Sequence, residues 1–135
     1  MAGATAHKLQ HADLIKDGLT DLFSELSTYL STDDCTKIRA AFNVADAAHL
    51  GQFRQTGEPY ITHPIAVATL CASWKLDTQS IMAALLHDVL EDTGIDKITL
   101  ANEFGAPVAN LVDGLSKLDK LHFDSKEAQQ AESFR

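Results

Sequence analysis

Glycine and proline are sparse, with seven and three in 135 residues, so little in the chain interrupts regular structure. No apolar run approaches the ~20 residues that a membrane-spanning helix needs, which excludes an integral membrane helix as its organising element. The N-terminus, MAGATAHKLQH, lacks the apolar centre of a signal peptide, so the expected location is cytoplasmic. Cysteine is nearly absent. Cys35 and Cys71 are too far apart for a C-x-x-C motif and read as reduced core or surface thiols. Positive charge is also short: eleven basic residues against nineteen acidic ones leave a net charge of -8. That balance disfavours general nucleic-acid binding, which needs basic surface against phosphates. A small phosphorylated ligand stays open, provided its site carries its own positive charge.

What is present is enough apolar material for one domain with a modest core, 45% of the chain. Its spacing is helical nearly throughout. Leu14, Ile15, Leu19, Leu22, Phe23, Leu26 and Leu30 recur at three- and four-residue steps, as one buried helix face requires. A second helix is expected after STDD, whose Ser, Thr and Asp side chains can accept first-turn amides, with Ile38, Phe42, Ala45 and Ala48 inward. GQFRQTGEPYITHP then breaks the period with glycine and proline and reads as a loop. Pro64 suits the first position of the next helix with His63 at its cap, and Ile65, Val67, Ala68, Leu70 and Cys71 face inward. LDTQS opens a central apolar helix that Thr93-Gly94 closes. A short helix spans Ile98 to Phe104, and Pro107 opens another with Val108, Leu111, Val112, Leu115 and Leu118 on one side. No strand alternation, repeat or linker appears, so the fold class is all-α: a flexible N-terminus over 1–10 and one domain over 11–135. Asp124 and Glu127 have the spacing of a reciprocal N-cap, and the helix formers that follow meet no stop signal, so the sequence reads as a piece of something longer.

The segment AALLHDVLEDTG carries the chemistry. Six apolar residues, Ile81 to Leu86, run into His87 and Asp88, with Glu91 and Asp92 following. On one continuous helix His87 and Glu91 are four apart, as are Asp88 and Asp92, so all four share a sector. They would occupy the last turn, where the dipole is negative and carboxylates are disfavoured. A divalent metal relieves that repulsion, because adjacent His nitrogen and Asp oxygen can reach one ion. The alternative is an exposed, solvated helix end. His63, alone before a proline, reads as a cap or surface group, but twenty-three residues separate it from His87 and put a histidine on one helix and a His-Asp pair on the next.

That pattern, H…HD, resembles the HD superfamily of metal-dependent phosphohydrolases. More narrowly, AHLGQFRQTGEPYITHPIAVA, MAALLHDVLEDT and VDGLSKLDKL together resemble the hydrolase domain of the bacterial RelA/SpoT family, over about Ile38 to Arg135. The resemblance implies a helical HD bundle that hydrolyses the 3′-pyrophosphate of the alarmones ppGpp and pppGpp with a bound Mn²⁺. It implies His63, His87 and Asp88 as metal ligands and Glu91 with Asp92 as the acidic pair that positions or activates water. It also implies Arg54 as the residue that stacks on guanine, with Gln55 and Thr56 beside it; the family often has lysine at the position of Gln55. The chemistry agrees: a metal neutralises phosphate charge, a carboxylate accepts a proton, and a planar guanidinium suits a purine face. Residue types alone leave Zn²⁺, Fe²⁺ and Mg²⁺ open. The family's fourth protein ligand is an aspartate expected beyond residue 135, since Asp113, Asp119 and Asp124 lie outside the matching motif. The 135-residue chain alone is therefore expected to bind Mn²⁺ weakly, to be poorly active, and to self-associate through an apolar face left uncovered.

Two other readings remain at this stage. One is a non-catalytic HD module that binds nucleotide for regulation, which the intact Glu91-Asp92 pair disfavours. The other is a different HD-type nucleotide phosphohydrolase, which RQTGEPY disfavours. His49 reads as structural and Tyr60 as a core aromatic with a bonded hydroxyl. Lys117 and Lys120 read as solvated helix lysines, and His7, His11 and His122 as surface residues.

Overall fold

A computed structural model describes the backbone of residues 2–118. Helix α1 spans Ala2–Leu26, α2 Thr32–Ala48, α3 Thr62–Ser73, α4 Thr78–Leu86, α5 Val89–Asp92 and α6 Lys97–Phe104. A further helix, α7, covers 106–118. Among the described residues there is no strand, only an isolated bridge between Phe53 and Pro59 inside the loop before α3. The expected all-α class is observed.

The core is a row of four helices in which α1 packs on α3, α3 on α4, and α4 on α2. Because α4 lies between two neighbours, Ile81, Met82, Ala83, Ala84, Leu85 and Leu86 are all buried, and the helix is apolar all round rather than on one stripe. The α1–α3 crossing is close at Gly18, where a Cβ would stand 3.1 Å from Ile65 Cγ2.

Side-chain caps set the starts of α2, α4 and α6. Ser31 accepts from the Asp34 amide at 3.1 Å, Asp77 from Ser80 at 3.1 Å and Asp96 from Thr99 at 2.8 Å. The α2 start thus lies earlier than expected after STDD, and Asp33 and Asp34 occupy the first turn, where the dipole favours them.

Several boundaries differ from the sequence expectation. The chain is helical from Ala2, through the segment expected as a flexible N-terminus, because AGATAHKLQ is rich in helix formers. Helix α3 begins at Thr62, so Pro64 is its third residue, not its first, and His63 lies inside the first turn. Proline is tolerated there because first-turn amides have no intrahelical acceptor in any case. Leu70 and Leu14 were expected inward and are exposed, at 51% and 46%. The expected stripe of α7 divides in two: Val108, Ala109, Val112 and Ser116 are buried, while Leu111, Leu115 and Leu118 are exposed. Asp124, Glu127 and the helix they were expected to cap lie outside the described residues.

Candidate metal centre

The expected continuous central helix is interrupted where the chemistry lies. Helix α4 ends at Leu86, His87 is its C-cap, and Asp88 is the N-cap of α5. Both residues keep right-handed helical angles, His87 at φ -62, ψ -30 and Asp88 at φ -89, ψ -6, so the chain turns onward without reversing. Asp88 consequently stands at a helix start, not in the last turn of one long helix. The side chains of Glu91 and Asp92 lie outside the described residues, so the expected shared sector rests on backbone alone.

His87 is buried, and its Nδ1 lies 2.7 Å from the Ala84 carbonyl oxygen. A carbonyl only accepts, so Nδ1 carries a proton, and in the neutral ring Nε2 then presents its lone pair. Nε2 then faces Asp88 Oδ1 at 3.2 Å. Two acceptors held this close require a proton or a cation between them. The other carboxylate oxygen, Oδ2, accepts the Tyr60 hydroxyl at 2.7 Å.

His63 comes to the same place from the first turn of α3, its ring edge-on to that of His87 with centroids 6.1 Å apart. One donor atom each from His63, His87 and Asp88 lies within 4.8 Å of the others, and this is the only such cluster of three among the described residues. Ligands about 2.1 Å from one ion stand roughly 3 Å apart when adjacent and roughly 4.2 Å when opposite, so the three donors stand near the spacing that one ion would need. The donor set of two imidazoles and a carboxylate, with the carbonyl and the phenol as outer partners, fits a divalent transition metal. The structure therefore brings together all three residues expected to bind metal.

The loop over 51–61 forms one wall of the site. The Arg54 amide donates to the Glu58 carbonyl at 2.9 Å and the Tyr60 amide to the Gln52 carbonyl at 2.8 Å, closing a narrow turn in which Gly57 sits at φ +100. Arg54, Gln55 and Thr56, with Phe53 and Tyr60, line a cavity of ≈ 380 Å³. On the same loop Glu58 lies 4.0 Å from Arg54 Nε and accepts the Thr56 hydroxyl at 2.6 Å. That hydroxyl bond, with backbone and Arg54 contributions, holds the Glu58 carboxyl below the usual carboxylate range. Arg54 Nη1 also lies 3.3 Å from His63 Nδ1. A guanidinium only donates, so this contact occupies a lone pair of His63.

A second cavity, of ≈ 460 Å³, is lined by His63 and His87 themselves, with Val67, Cys71, Leu111 and Leu115. This is where the exposed stripe of α7 points. Asp113 takes no part in the cluster: Lys97 at 3.3 Å and Lys117 at 3.1 Å pair with it and hold its carboxyl below the ordinary range. Lys117 is thereby the surface lysine it was expected to be. The side chain of His7, and Asp119, Lys120, His122 and Asp124, lie outside the described residues. His49 is buried and structural as expected, Nδ1 to Gln52 Oε1 at 2.9 Å, with no partner at Nε2. What the sequence reading missed is the hydroxyl bond from Tyr60 to Asp88. It spans twenty-eight positions in sequence and no local spacing announces it.

Among the described residues no helix is long and apolar enough to cross a membrane. The HD-domain family profile matches residues 41–135. The bifunctional (p)ppGpp synthase/hydrolase SpoT of Escherichia coli K12 is 54% identical over 110 residues, which are 82% of this chain and 16% of that protein. A guanosine-3′,5′-bis(diphosphate) 3′-pyrophosphohydrolase of Haemophilus influenzae is 58% identical over 92 residues, 68% of this chain and 14% of that protein. The chain thus spans a small part of the length of these relatives. A solved structure of a metazoan ortholog of SpoT that hydrolyzes ppGpp superposes with a TM-score of 0.57 at 33% identity, over 65% of this chain and 49% of that one. With the family's histidine, His-Asp pair and helical frame in place, the chain belongs to the HD-domain family, among the sequences related to SpoT.

Proposed function

We propose that this chain acts in the Mn²⁺-dependent hydrolysis of ppGpp and pppGpp, releasing the 3′-pyrophosphate and leaving GDP or GTP. The observation that carries the reading is the convergence of His63, His87 and Asp88 within 4.8 Å beside the cavity that Arg54 lines. Relatives 54% and 58% identical bear the names of enzymes of this nucleotide.

In this reading His63, His87 and Asp88 would hold the ion. The ion supplies positive charge against the phosphate oxygens and acidifies water at the site. The chain's own residues do the rest. The bond from His87 Nδ1 to Ala84 keeps the Nε2 lone pair directed at the site. Glu91 and Asp92, on the turn after Asp88, are the pair proposed to accept the proton of the attacking water. Arg54 offers a planar cation to the guanine face, and Gln55 and Thr56 line the same cavity. Its charge also offsets the nucleotide's phosphates in a chain of net charge -8.

The test is pyrophosphate release from ppGpp by the intact protein with added Mn²⁺, and again after chelation. Release that depends on the metal and stops with the chelator is expected. Nucleotide binding without release would overturn the enzyme reading in favour of a regulatory pocket.

A further inference from the structure

We propose that Tyr60 is a positioning residue of the metal centre: its hydroxyl fixes the Asp88 carboxylate so that one oxygen is directed at the ion. This rests on the reading of His63, His87 and Asp88 as ligands and adds a residue that their motif does not contain.

A carboxylate turns easily about its terminal torsion, whose preference is broad and two-fold. Asp88 is restrained from both sides. Oδ2 accepts the Tyr60 hydroxyl at 2.7 Å, while Oδ1 stands 3.2 Å from His87 Nε2, inside the cluster. Holding Oδ2 therefore sets the direction of Oδ1.

The phenol can impose this only if it is itself fixed, and it is. The Tyr60 amide donates to the Gln52 carbonyl at 2.8 Å. Its ring packs against His49 with centroids 4.8 Å apart, and its edge meets His63 at 5.9 Å. His49 is 2% exposed, and the Gln52 side chain bonds its Nδ1 at 2.9 Å. Gln52 thus anchors Tyr60 through its backbone and His49 through its side chain. The row His49, Tyr60, His63 continues to His87, so the loop and the two ligand-bearing helix ends interlock. Tyr60 also lines the cavity that Arg54 shares, which makes one ring a wall for both the nucleotide side and the metal side.

The measurement is Mn²⁺ affinity of the intact protein without nucleotide, followed by electron paramagnetic resonance, in the native protein, Tyr60→Phe and Tyr60→Leu. Loss of an outer-shell partner typically weakens metal affinity by about 10–100-fold. Tyr60→Phe is expected to lose at least about tenfold with its melting temperature nearly kept, and to change the visible absorption of a Co²⁺-loaded site. A Tyr60→Phe protein with native affinity and an unchanged Co²⁺ spectrum would overturn the proposal. So would affinity lost in Tyr60→Leu but kept in Tyr60→Phe, which assigns the effect to ring packing. A native protein that binds no Mn²⁺ refutes the ligand assignment itself, a separate result that removes the proposal with it. Should Tyr60→Phe fail to fold, a ¹³C label at the phenol carbon of Tyr60 supplies the reading as Zn²⁺ is titrated. A shifted resonance supports the proposal and an unmoved one overturns it.

Discussion

Arg54 is tied to two neighbours, Glu58 across the loop and His63 at the cluster, so it belongs to the cavity and to the candidate ligand set at once. Losing its stacking surface should weaken nucleotide binding by about 1–3 kcal/mol, by analogy with base stacking on aromatic side chains. Arg54→Ala is therefore expected to raise KM for ppGpp roughly 5- to 150-fold. Its Mn²⁺ affinity should not fall, because the contact removed competes for a lone pair of His63. Steady-state kinetics beside a Mn²⁺ titration check both halves, and an unchanged KM with unchanged kcat would return Arg54 to the solvent. At this scale His63, His87 and Asp88 were legible because ligand chemistry restricts residue type and the motif fixes order. Tyr60 was legible only as an aromatic with a bonded hydroxyl. Its partner, Asp88, comes near through tertiary packing, which sequence spacing does not encode.

Helix ends do much of the positioning. Asp77 caps α4, the helix that delivers His87, and removing an N-cap acceptor costs about 1 kcal/mol. Asp77→Ala should lower the melting temperature by a few degrees while leaving Mn²⁺ affinity within twofold of native, a factor of about 0.4 kcal/mol. Asp96 caps α6, and its bonds to the Thr99 hydroxyl and amide hold its carboxyl below the ordinary range. A depressed folded value means that the cap stabilises the fold above the ordinary carboxylate range. That contribution is lost as pH falls below this range, through the depressed value. Acid melts should therefore show less loss of stability in Asp96→Asn, whose cap no longer titrates, than in the native protein. At the α1–α3 crossing Gly18→Val should destabilise, since a bare Cβ already meets Ile65 Cγ2 at 3.1 Å and valine adds two methyl groups to that crossing. Thermal denaturation reads this directly. Helix existence was legible from periodicity, and the caps of α2 and α4 from the polar runs STDD and LDTQS. The break after Leu86 was not, because VLED continues the apolar and acidic pattern, and only the hydrogen-bond ladder shows that α4 stops. The two-sided character of α7 was hidden for a similar reason: leucines at 111 and 115 are apolar whether they face a core or a cavity mouth.

For the molecule as a whole, Leu111, Leu115 and Leu118 leave an exposed apolar stripe beside the cavity, a surface that favours self-association. Sedimentation is expected to show concentration-dependent dimers of the 135-residue chain, reduced by Leu111→Ser with Leu115→Ser. A monomer at all concentrations would count against it. The packing of α3 on α4 brings the first turn of one helix to the C-cap of the other. That convergence makes a site from His63 and from His87 with Asp88, which are apart in sequence. Its direct test is calorimetric titration of Mn²⁺ into the intact protein, its His63→Ala variant and the doubly substituted His87→Ala, Asp88→Ala variant. Binding in the native protein and none detectable in either variant is the expected result; undiminished affinity in the variants would contradict it.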